Sequence, residues 1–142
     1  MKVIILKQNL MEAINIVQKA IMSKATLPIL EGIFIEADEK LKLIGNNYDM
    51  AIEYNLDADI MEKGSIVINA RIFGEIIRKL PDAPVSIEVF DNSKVKIECL
   101  NSYFEIKGMD GASYPLPPEY KNDLSFSISQ ASMKELIKQT IF

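Results

Sequence analysis

The sequence predicts an α+β domain made of two β-α-β-β-β repeats, with two helices packed on antiparallel sheet. Three observations carry this. A short pattern occurs three times: an isoleucine, four residues, a large apolar residue, one residue, a glutamate, then two apolar residues. Its copies are Ile5, Leu10, Glu12, Ala13, Ile14, then Ile68, Phe73, Glu75, Ile76, Ile77, then Ile128, Met133, Glu135, Leu136, Ile137. They start 63 and 60 residues apart, the interval of a recurring supersecondary unit. Each copy opens in a β-branched or alternating run and passes into a helical period, so each is a strand feeding a helix. Short alternating runs bounded by Pro, Gly, Asn and Asp then follow the first two helices, which is the pattern of antiparallel hairpins.

In order, the first strand is the apolar run between Lys2 and Lys7, and the first helix spans residues 8–24. In Thr26-Leu27-Pro28-Ile29-Leu30, Pro28 disfavours helix through Leu27. Residues 32–37 and 41–44 flank Asp38-Glu39-Lys40 as a hairpin, and 50–56 follows Gly45-Asn46-Asn47 as a third strand. The second unit repeats the order: strand 65–68, helix 71–80 stopped at Pro81-Asp82-Ala83-Pro84, then strands 85–89, 94–98 and 103–106.

Pro115, Pro117 and Pro118 fall within four residues, and no strand or helix is expected across that stretch. Residues 109–122 therefore read as a linker, with a domain boundary near 122. The first domain is 1–122. Residues 123–142 form the opening strand (124–128) and helix of a second domain. The third copy of the pattern stops at Phe142, one or two turns into its helix, so the chain reads as cut.

Composition narrows the function. With 142 residues, 49% hydrophobic, the chain can bury one ordinary core. It has no apolar run near the roughly 20 residues of a membrane span, and no signal-peptide pattern, so the cytoplasm is the expected location. The single cysteine, Cys99, reads as a half-buried structural thiol. Histidine is absent, which removes Ser-His-Asp and Cys-His catalysis and any imidazole base. No calcium loop has the required spacing, and Gly45-Asn46-Asn47 is no phosphate cradle. Asp57 and Asp59 read as solvated acids. No enzyme, metal or cofactor is expected.

Net charge is −4, yet its distribution is uneven. The first helix sets Glu12 against Lys19 and Lys24, and the second sets Glu75 against Arg71, Arg78 and Lys79, so both are mildly basic. The acids concentrate in strands and loops. Glu12, Glu75 and Glu135 are expected in first helical turns, where they complement the macrodipole. Arg71 and Arg78 are two turns apart and can point the same way. On the residues alone, Lys24, Arg78 and Lys79 suit helix C-termini at least as well as phosphate.

Several stretches carry a family resemblance. Lys24-Ala25-Thr26-Leu27-Pro28-Ile29-Leu30, then Ile68-Asn69-Ala70-Arg71 leading to Ile77-Arg78-Lys79-Leu80-Pro81, then Ser102-Tyr103-Phe104 and Tyr114-Pro115 resemble the bacterial DNA polymerase III β subunit, the sliding clamp, in order from Met1 to Phe142. The resemblance implies the DNA-clamp fold. It also implies a non-catalytic processivity factor for the replicative polymerase: two full-length chains, head to tail, form a homodimeric ring around duplex DNA, with helices lining the hole. By the same resemblance, Lys24, Arg71 and Arg78 match inner-face positions that contact the DNA backbone. Such contacts carry no sequence information and are salt-dependent. Phe104 and Ile106 match apolar dimer-interface positions on an edge strand.

There are departures. Lys24 stands where the family often has arginine, and Ile72 where a basic residue is common. Asn101 and Tyr103 replace basic residues that in some members flank the interface phenylalanine, and Asn46-Asn47-Tyr48-Asp49 replaces the more usual Thr-Asp-Leu-Glu. The pocket for polymerase and clamp-loader peptides belongs to domains beyond this segment, so the segment is not expected to bind those peptides or close a ring. The alternative reading is a stand-alone clamp-like interaction module that does not encircle DNA.

Overall fold

The computed structural model describes residues 1–118 and 125–141. Its strands are β1 (Lys2–Leu6), β2 (Gly32–Ala37), β3 (Leu41–Asn46), β4 (Ala51–Leu56), β5 (Asp59–Glu62), β6 (Gly64–Asn69), β7 (Pro84–Val89), β8 (Lys94–Cys99), β9 (Ser102–Lys107) and β10 (Met109–Asp110). Its helices are α1 (Lys7–Val17), α2 (Ala70–Lys79) and α3 (Gln130–Thr140).

The strands form two five-stranded antiparallel sheets, ordered β5-β1-β7-β8-β9 and β10-β6-β2-β3-β4. The two repeats exchange their first strands. β1 of the first unit pairs with β7 of the second, and β6 of the second pairs with β2 of the first. The same exchange puts β5 on the outer side of β1 and β10 on the outer side of β6. Neither unit closes a sheet alone, which is why the sequence needs two copies.

One core joins the parts. Leu10, Ala13, Ile14 and Val17 of α1 and Phe73, Ile76 and Ile77 of α2 pack with Val3, Ile5, Ile33, Ile35, Leu43, Ile66, Ile68, Val85, Ile87 and Ile97 from both sheets. The i, i+3, i+4, i+7 spacing in each helix turns one stripe inward. The Asn69 side chain accepts from the Ile72 amide at 3.2 Å and starts α2. At its other end the Lys7 ammonium donates to the Leu80 carbonyl at 2.5 Å, a cation at the helix C-terminus.

Several expectations are corrected. The first helix does not reach residue 24. It ends at Val17, with a 3₁₀ turn over Gln18–Ala20, and Ile21 turns extended. Beyond it, Ser23, Lys24 and Thr26 are exposed and supply no apolar stripe to hold another turn on the core. Glu12, Glu75 and Glu135 are each the sixth residue of their helix, past the free amides of the first turn. Cys99 is fully buried rather than half-buried, its Sγ 3.5 Å from the Pro81 carbonyl.

The stretch from 109 is not devoid of structure. Met109–Asp110 pairs with β6, and Gly111–Ser113 makes a 3₁₀ turn whose Ala112 amide donates to Asp110 Oδ1 at 3.0 Å. Tyr114 is buried in a second small cluster with Leu30, Phe34, Ile44 and Val67. Residues 115–118 carry no strand or helix, as the prolines predict. Residues 125–129 carry no strand, since no described strand lies beside them to complete the ladder. α3 runs three turns rather than one or two, with Met133, Leu136 and Ile137 exposed. The boundary at 122, Leu124 of the expected strand, and Phe142 lie outside the described residues.

Candidate nucleic-acid interface

α1 and α2 lie side by side. A Cβ on Gly74 of α2 would sit 3.7 Å from Ile14 and 3.8 Å from the Gln18 side chain, so the small residue marks the helix contact. With their apolar stripes turned into the core, both helices present polar faces to solvent.

An open groove of about 780 Å³ runs between the end of α1 and the exposed face of α2. Gln18, Ile21, Met22 and Ser23 form one wall, and Asn69, Arg71, Ile72, Glu75 and Arg78 the other. Arg71 and Arg78 thus come together on one surface, as their spacing suggests. Lys24 is exposed and follows Ser23 directly, though its side chain does not line the groove. It lies in an irregular loop rather than at a helix end, so the helix-terminal explanation for Lys24 fails. Arg78 and Lys79 do lie in the last turn of α2, as that explanation expects, and Lys7 adds its own bonds to the Arg78 and Leu80 carbonyls there.

Arg71 Nε bonds Glu75 Oε1 at 3.2 Å across one helical turn, with the Arg71 side chain 88% exposed. Ile72, half exposed, follows Arg71 and adds an apolar side chain to the same wall. Glu31 also lines the groove, and its Oε1 accepts from the Ala25 amide at 3.3 Å, shaping the loop that carries Lys24. Groove members such as Gln18, Ser23 and Glu31 could not be picked from sequence, because they join the arginines only through helix packing and the loop.

Phe104 and Ile106 lie elsewhere, on β9 at the edge of the first sheet. Both are half-buried and pack against the main core. Between and beside them, Tyr103, Glu105 and Lys107 point outward. Glu105 accepts from the Lys94 ammonium at 2.6 Å and from the Tyr103 hydroxyl, and Lys96 stands 5.5 Å from the Tyr103 ring centroid. Lys94, then Tyr103, hold the Glu105 carboxyl below its usual range. The bond to Glu105 is the main cause pushing Tyr103 up to about 12. Tyr103 thus joins the polar network on this face.

Paired sheets with exchanged first strands and two adjacent helices define the α+β clamp fold. The chain belongs to the DNA polymerase III beta subunit family, and its residues 1–118 match the model of that family's N-terminal domain. Among curated relatives, the beta sliding clamp of Bacillus subtilis is 36% identical over 151 residues, covering 100% of this chain and 40% of that protein. The beta sliding clamp of Halalkalibacterium halodurans is 36% identical over 138 residues, covering 91% and 36%. The crystal structure of the Bacillus subtilis DNA polymerase sliding clamp superposes with a TM-score of 0.94 at 36% identity, covering 99% of this chain and 39% of that one. The DNA polymerase beta subunit of Streptococcus pyogenes gives 0.93 at 26% identity, covering 99% and 38%. The chain therefore spans well under half the length of these relatives.

Proposed function

We propose that these residues are the first domain (1–122) and the opening of the second (123–142) of a DNA sliding clamp. It is a non-catalytic, cytoplasmic processivity factor for the replicative polymerase. Full-length chains close head to tail into a homodimeric ring on duplex DNA, with Phe104 and Ile106 at the subunit boundary. Lys24, Arg71 and Arg78 meet the DNA backbone.

The reading is supported most by Arg71 and Arg78, two turns apart, exposed on one groove between the helices of a chain in the beta subunit family. Their guanidinium groups can engage phosphate without reading bases. A protein that must move along DNA of any sequence needs such contacts. Among the described residues β9 is an edge strand, and the edge beside half-buried Phe104 and Ile106 supports the boundary role, since an exposed strand edge calls for a partner.

The test is retention of a full-length clamp carrying this segment on nicked circular DNA and on the same DNA linearised. Charge reversal at Lys24, Arg71 and Arg78 should lower loading on the circle while thermal unfolding stays unchanged. Equal loading by the variant would remove these residues from the interface. Equal release from circle and linear DNA would remove the ring.

A further inference from the structure

The repeat glutamates are left without a role by the fold. Glu12 and Glu75 hold the same place in the recurring pattern, lie past the helix N-termini, and face solvent rather than capping amides. A carboxylate on a face that would meet phosphate opposes it. We propose that Glu75 is a positioning residue for the DNA grip. It holds the Arg71 guanidinium along the helix and opposes phosphate between Arg71 and Arg78, keeping backbone contact weak enough for movement. The inference rests on the reading of this face as the DNA-facing one.

The geometry is local. Glu75 accepts from Arg71 at 3.2 Å, four residues back, and Arg78 is three residues ahead, so all three share one stripe of α2. All three line the same groove. A structural role explains the pair poorly: the arginine precedes the glutamate, the less favourable order along a helix, and both side chains are largely exposed. Phosphate therefore displaces the bond readily. The carboxylate nonetheless stays within a Debye length, about 10 Å at 0.1 M salt, of any phosphate either arginine takes. Glu12 is the internal comparison. Its groove holds Lys7, Gln8, Asn15, Lys19 and a second acid, Asp82, but no arginine, and the Lys7 ammonium is already committed to the Leu80 carbonyl.

The experiment is binding of the 142-residue chain to a short fluorescent duplex at low salt, read by anisotropy across a salt series. Glu75→Gln should tighten binding about threefold and steepen the salt dependence, because Arg71 gains a full phosphate contact. Glu12→Gln adds the same net charge and should tighten binding less. In an Arg71→Ala background the gain from Glu75→Gln should shrink. Binding unchanged or weakened by Glu75→Gln would overturn the proposal. So would an equal gain from Glu12→Gln, which reports net charge alone, or a gain undiminished without Arg71. If Arg71→Ala and Arg78→Ala themselves leave binding unchanged, the DNA-facing assignment fails, an outcome distinct from failure of Glu75→Gln alone.

Discussion

The ring of Tyr114 stacks on that of Phe34, centroids 5.3 Å apart and planes 23° apart, on the second sheet away from the main core. Beside it, the buried Asn46 side chain donates to the Pro115 carbonyl at 2.8 Å and accepts from the Tyr48 amide at 2.8 Å. Tyr114 and Pro115 are thereby fastened to β2 and β3. Tyr114→Ala should cost about 3 kcal/mol of unfolding free energy, the range for emptying a buried aromatic site. Tyr114→Phe, which keeps the ring and loses a long hydroxyl contact to the Ile44 carbonyl, should cost about 1 kcal/mol or less. Urea unfolding of the two variants separates packing from the hydrogen bond.

Burial pushes the Tyr114 phenol up to about 12, from an ordinary value of 10.0. The folded-state value lies above the unfolded one, so this group's contribution is fully present below pH 10 and is lost as pH rises through about 12. Alkaline unfolding should begin in that window. Tyr114→Phe should flatten the stability profile between pH 10 and 12. A profile identical to wild type would show that the phenol is not what burial protects.

Two glycines should respond oppositely to alanine. A Cβ on Gly45 of β3 would lie 2.2 Å from the Val17 carbonyl oxygen at the end of α1, a backbone atom that cannot step aside. Gly45→Ala should destabilise by about 1–3 kcal/mol through overpacking. At Gly74 the new methyl meets Ile14 and the Gln18 side chain at ordinary contact distance. Gly74→Ala should stabilise α2 by about 0.5–1 kcal/mol. Melting temperatures of both variants check the pair.

Leu100 turns the β8–β9 hairpin with φ 51° while its side chain is 74% exposed. A leucine there bears steric strain that burial does not repay. Leu100→Gly should raise stability by about 1 kcal/mol, and a loss of stability on denaturant unfolding would mean the side chain has a packing partner.

The repeat made the fold legible. Ile5 through Ile14 and Ile68 through Ile77 announce each strand-helix unit, and the hairpin at Asp38-Glu39-Lys40 followed from turn chemistry. The exchange of β1 and β6 between sheets was hidden, because pairing partners far apart in sequence leave no local trace. β5 was missed because Asp59 and Glu62 bracket a four-residue edge strand, and β10 because two residues carry no period. The proline density after Tyr114 masked the ordered turn before it. In the site, the spacing of Arg71 and Arg78 was readable from helical geometry. The groove they share with Gln18 and Ser23 depends on how α1 ends, which sequence alone extended too far.

Lys24, Arg71 and Arg78 are the residues proposed to hold the DNA backbone. The most direct measurement is the slope of log affinity against log salt for duplex DNA, comparing wild type with the triple alanine variant. Each lost phosphate contact should reduce the slope by about 0.9, and affinity should fall equally for unrelated sequences. An unchanged slope with intact folding would contradict the claim.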